Sequence, residues 1–278
     1  MSVSDTLFMY NINMDKKLHD FMNRDDCYFI NYASDGFYNG SSPAPRISCI
    51  VIYNLKTDKG YRFLINDHTD GNSLEQAEKL TLENFKMVFD KIPNVSFIHW
   101  GMNNSGFGFK AIQARAEDLG IDLPMPDSNH LFDLSSYVAY VAEKKLSIKQ
   151  VLWFNSLLIG DDYLDGKTEA EYFNKGKFNE IYRSVDLKVC GFADLAKLIQ
   201  ENKLKSEPPY QINDGLTKEE RRQQALKIAE TREKMINDIY KHNRKILRKK
   251  EETFDNYIKN AEKQIKESVE EYLEKKWG

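Results

Sequence analysis

Five carboxylates stand where metal chemistry would need them. Asp35 lies just past an apolar run, Asp67 and Asp70 follow another, Asp133 ends a third, and Asp186 sits in a helical stretch. Gathered into a displaced cluster around Asp186, they would hold Mg²⁺ or Mn²⁺, which demand several anionic oxygens. Each also has a plainer reading. Asp35-Gly36 and Asp70-Gly71 are turn formers, and Asp133 suits the cap of a helix opening at Leu134. His99 is a candidate base or ligand. Its place beside Trp100 in an apolar run equally suits a hydrogen-bonded core histidine.

The residues after His99 offer a second chemistry. Trp100, Met102, Phe107 and Phe109 would stack on nucleic-acid bases if exposed, and at this density they also read as core. The turn holding Asn103, Asn104, Gly106 and Gly108 opens a helix, whose first amides suit a phosphate. Much later, Lys241–Lys250 packs six Lys/Arg into ten residues. Arg244, Lys245, Arg248 and Lys249 in that run are candidate phosphate contacts with a steep salt dependence. Glu251 and Glu252 follow directly and speak for a solvated face instead. No Ser-His-Asp arrangement, P-loop, Gly-rich dinucleotide loop or His-Glu-x-x-His helix is present.

The elements that must position these residues are read from periodicity. Cys27–Tyr32, Ile47–Tyr53 and Tyr61–Ile65 are β-branched and aromatic runs, hence strands. Lys56–Gly60 between the last two is turn chemistry, so they form an antiparallel hairpin. Leu74–Lys91 repeats apolar residues at helical spacing and stops at Pro93. Val95–Trp100 is a short strand, Phe109–Leu119 a helix ended by Gly120, and Leu131–Asp133 a brief strand leading into a helix over 134–142. Ser147 caps a further helix to Leu158. Phe178–Gln200 closes the head as a helical region with a break expected near Gly191. A mixed α/β sheet with helices on its faces is the natural architecture for residues 1–204.

Residues 205–215 form a linker stiffened by Pro208 and Pro209 and closed by Gly215. Thr217 with Glu220 makes a capping box, and no proline or glycine recurs until Gly278. The stripe Phe254, Ile258, Ala261, Ile265, Val269, Tyr272 suits a coiled-coil seam or an αα-hairpin in a charged arm over 216–278. An unbroken helix there would exceed about 80 Å, so a turn near His242-Asn243 or a partner helix is expected. Homo-oligomerisation or docking on a protein partner through 216–278 follows.

Composition sets the outer bounds. Of 278 residues, 30% are charged and 41% apolar, and the net charge is −3. Nothing global attracts nucleic acid, so any such binding rests on a local basic patch. No apolar run reaches 18 residues, so no membrane-spanning helix is expected. Residues 1–14 lack the pattern of a secretory leader. Cys27, Cys49 and Cys190 are odd in number, far apart and without zinc-type pairing, which fits a reducing cytoplasmic setting.

The order of elements over 27–200 resembles the DEDD (DnaQ-like) 3′–5′ exonuclease family, on a ribonuclease H-like fold. The resemblance rests on Phe97-Ile-His-Trp-Gly-Met-Asn-Asn-Ser-Gly-Phe-Gly-Phe-Lys-Ala-Ile112 with Leu119-Gly120 after it, on Leu131-Phe-Asp-Leu134, and on Tyr182-Arg-Ser-Val-Asp186. It implies two metal ions held by carboxylates that clamp a scissile phosphate. Asn31-Tyr-Ala-Ser-Asp-Gly36 then falls on the family's Asp-x-Glu-Thr-x-Gly. Asn31 and Ala33 replace both first-strand carboxylates, Asn104 replaces the next Asp, and Asp186 alone remains as a metal ligand. The implied protein is a degenerate, non-catalytic relative that takes no metal and binds nucleic acid or protein. The alternative is an active Mg²⁺- or Mn²⁺-dependent nuclease using Asp35, Asp133, Asp186 and His99.

Overall fold

The computed structural model describes residues 14–207 apart from Pro93, Ser105 and 158–161. Contacts divide the chain at Gln211/Ile212, and the described residues all belong to the first unit. Helix α1 covers residues 14–22. Then come β1 (Cys27–Ser34), β2 (Ile47–Asn54), β3 (Lys59–Leu64), α2 (Leu74–Lys91), β4 (Ser96–His99), α3 (Phe109–Asp118), β5 (Leu131–Asp133), α4 (Leu134–Val141), α5 (Ile148–Phe154), α6 (Gly166–Asn174) and α7 (Phe178–Gln200).

The five strands form one mixed sheet in the order β3-β2-β1-β4-β5. β1 is antiparallel to β2 and β2 to β3, whereas β1 with β4 and β4 with β5 run parallel. β1 is therefore central and buried on both faces, which is why its sequence is apolar almost without alternation. Cys27, Phe29 and Ala33 face a core completed by α1, α5 and α7. Tyr28, Ile30 and Tyr32 face a second core built with α2 and α3. The pleat puts Asn31 on the first of these faces.

Local chemistry sets the helix ends. Ser73 and Gln76 form a reciprocal capping box at α2, and Ser147 with Gln150 does the same at α5. A buried clamp ties α2, α3 and β2 together. Arg115 donates to both oxygens of Glu78 at 2.9 and 2.6 Å, and the Ile47 amide donates to the same carboxylate at 2.6 Å. This bidentate geometry offsets the desolvation of both charges.

Two expectations change here. α7 runs unbroken through Gly191, because that glycine is a contact point: a Cβ there would lie 2.6 Å from Leu152 of α5. α6 was not foreseen. It is capped by Asp165, which accepts from the Thr168 amide, and it buries only Glu169 and Phe173. The linker beyond residue 207 and the arm lie outside the described residues, and no helix among those described is long and apolar enough to cross a membrane.

Candidate functional site

β1 and β4 are parallel, so their carboxyl ends reach the same edge of the sheet. β1 delivers Asn31 and Ala33 there, and β4 delivers His99 followed by Trp100. Asn31 is 3% exposed. Ala33 pairs across the ladder with Cys49 of β2. The buried Cys49 thiol is raised by burial and then by the charge of Glu169, with Lys188 opposing. α6 and α7 both pack against β1, and through Glu169 and Lys188 they act on the Cys49 thiol beside Ala33.

These two residues form a buried ion pair. Lys188 Nζ donates to Glu169 Oε1 at 2.6 Å, and Ser184 Oγ donates to the same oxygen at 3.0 Å. The two charged side chains are 5% and 6% exposed. Lys188 Nζ also sits 4.9 Å from the Tyr163 ring centroid. Burial pushes the Glu169 carboxyl up, against the opposing pull of Lys188 and Ser184. The chemistry this supports is mutual charge neutralisation of two buried side chains. It leaves no surplus of anionic oxygen for a free cation.

Of the carboxylates singled out from sequence, Asp67 and Asp70 are exposed, while Asp35 and Asp133 are occupied elsewhere. Asp35 holds Arg46, accepting from its amide and its Nε at 2.7 Å each, and so closes the loop between β1 and β2. Asp133 caps α4 by accepting from the Ser135 and Ser136 amides and from both hydroxyls, and it also accepts from the Gly101 amide at 3.0 Å. Burial alone would raise Asp133, but these donors and nearby His99 hold it below the usual carboxylate range. Asp186 is half-buried on the flank of α7 that carries Tyr182, whose hydroxyl is raised by burial and then by the Asp186 charge. Arg62 of β3 lies over that same ring. Among the described residues, no three His, Cys, Asp or Glu side chains are placed to hold a metal ion. The displaced cluster of Asp35, Asp67, Asp70, Asp133 and Asp186 does not form.

His99 is a core residue with 0% exposure. Its Nδ1 accepts from the Met102 amide at 3.2 Å, and its Nε2 has no hydrogen-bond partner among the described residues. Burial lowers it to about 4, with Asp133 pulling weakly the other way. A neutral buried ring that anchors a turn is ill placed as a general base. Trp100 is 9% exposed and stacks on Phe192 of α7, so its faces are spent in the core.

The turn after β4 consumes its own amides. Gly106 donates to Asn104 Oδ1, Gly108 to the Tyr32 hydroxyl, Phe109 to the Met102 carbonyl and Asn104 to the Gly101 carbonyl. The expected phosphate cradle is thereby closed to those groups, and of its two asparagines Asn103 is exposed while Asn104 is spent on the turn. Arg244, Lys245, Arg248 and Lys249 lie outside the described residues.

Sequence reasoning missed Glu169 and Lys188. A groove of about 750 Å³ between α1, α4 and the end of α7 is lined by Tyr137, Tyr140, Val141 and Ile199, and by none of the site residues above. No family model, no curated protein and no solved structure matches this chain.

Proposed function

We propose that the chain is a non-catalytic, nuclease-like binding module of the ribonuclease H-like type, which engages nucleic acid or a protein partner and assembles through residues 216–278. The strand order, the antiparallel hairpin beside two parallel neighbours, and a closing helix packed on β1 and β2 support the fold reading. One observation carries the functional reading. At the end of β1, Asn31 offers a neutral oxygen, Ala33 offers none, and the adjacent Glu169 is already neutralised by Lys188. A pair of divalent cations needs several uncommitted anionic oxygens, and these residues do not fit that group.

The test uses full-length protein with end-labelled single- and double-stranded oligonucleotides, with Mg²⁺ or Mn²⁺ and with chelator. Intact oligonucleotide under all conditions, and a melting temperature unmoved by either metal, is the expected result. A metal-dependent product ladder that disappears in Glu169→Gln or Asp186→Asn would establish an active nuclease with a shifted carboxylate set instead.

A further inference from the structure

α6 is tied to the rest of the fold by few anchors. Only Glu169 and Phe173 of its residues are buried. Glu169 binds Lys188 and Ser184 of α7. Phe173 packs edge-on against Phe178 and lies under the Arg46 guanidinium, 4.6 Å from its ring centroid. Arg46 is in turn held by Asp35. Tyr172 is half-buried against the same core, so the helix is held mainly by one ion pair and two aromatic rings. Segments with so little buried apolar surface open at a fraction of the global unfolding free energy.

Cys49 is 1% exposed, belongs to the same core as Phe173, and pairs across the ladder with Ala33 of β1, the strand on which α6 packs. Asn31 is on the same face of the sheet. Lifting α6 takes Glu169 from Lys188 and leaves an ammonium and a thiol facing water at the end of β1.

We propose that α6 is a latched strap: the Glu169–Lys188 pair holds it closed over the end of β1, and breaking the pair uncovers Cys49 and Lys188 without unfolding the sheet. The device stands independently of whether the module cuts nucleic acid, because it concerns access to the crevice and no bond-breaking step.

The three cysteines provide the readout. Cys190 is exposed, Cys27 is buried at the far end of β1 beside Arg24 and Asp26, and Cys49 lies under the strap. Full-length protein is treated with a thiol-alkylating reagent at pH 8, and each site is followed by peptide mass spectrometry. In the wild type, Cys190 reacts at once while Cys27 and Cys49 lag together. In Glu169→Gln, Cys49 labelling accelerates by about tenfold or more beyond the acceleration of Cys27, which reports loss of global stability. Phe173→Ala, which removes one of the aromatic anchors, gives the same pattern. Equal acceleration of Cys27 and Cys49, or no acceleration of Cys49 in either variant, overturns the strap. Hydrogen exchange on the wild type reads the same device without a mutation. Amides of 166–174 exchange as a group ahead of β1 and α7, and equal protection overturns the proposal.

Discussion

The two buried charges at the end of β1 contribute most as a pair. An ion pair withdrawn from water gains little over well-packed apolar residues, whereas removing one partner strands the other charge and costs about 3–5 kcal/mol. Glu169→Gln and Lys188→Met should therefore each destabilise the head by that order. The double variant should be milder than the sum by a clear coupling energy, as read by urea unfolding of the full chain. Additive losses would mean that the two side chains act separately. His99 makes a second residue-scale prediction, with a definite sign. Its folded value lies near 4, below the ordinary 6.5, so the unfolded chain takes up a proton that the folded one refuses. The full contribution is present above pH 6.5 and is lost as pH falls from there towards 4, at about 1.4 kcal/mol per pH unit. His99→Leu should flatten that slope. An unchanged slope would place the titration on another group. Losses below pH 4 belong instead to carboxylates such as Asp118, which Ser42 and the Ala44 amide hold below their ordinary range.

At the scale of elements, the turn from β4 into α3 is set by backbone approach. A Cβ on Gly108 would lie 1.8 Å from the Met102 carbonyl oxygen, with φ at +131°. Gly108→Ala should cost about 3 kcal/mol or more and loosen α3. Gly120→Ala, at φ +72° in open space, should cost only about 1 kcal/mol. Thermal melts of the two variants check the ratio, and equal shifts would refute the close-approach argument. The same elements show what could be read in advance. β1, β2 and α2 announce themselves through β-branched and aromatic runs and through apolar residues at helical spacing, because those signals are local. α6 does not, since Gly-Lys-Thr-Glu-Ala-Glu-Tyr-Phe-Asn offers one buried aromatic and one buried acid, too little for an apolar stripe. The candidate site is half legible: the resemblance to the exonuclease pattern points to Asn31 and Ala33, but Lys188 rather than Asp186 pairs with Glu169. Two residues on a helix point about 200° apart, and that phase is fixed by which face of α7 packs on β1 and β2. The partnership of Glu169 with Lys188 spans nineteen residues and has no local signature.

For the molecule as a whole, the remaining question is how the charged arm works with the head. The proposed assembly through 216–278 predicts that the apolar residues from Phe254 to Tyr272 meet a second helix from the same chain or another. The basic run Lys241–Lys250 predicts a different behaviour, attraction to phosphate that fades as salt rises. Salt separates the two. Self-association through an apolar seam persists at high ionic strength, because the Debye length shortens from about 10 Å at 0.1 M to about 3 Å at 1 M while apolar burial is unaffected or strengthened. Sedimentation velocity of the full chain should give an oligomer at both 0.1 M and 1 M salt, and a chain ending at Gln211 should sediment as a monomer at both. A full chain that is monomeric throughout would assign the stripe to an internal hairpin or to a different partner. An oligomer that dissolves only at high salt would move the contact from the stripe to the charges around Lys245.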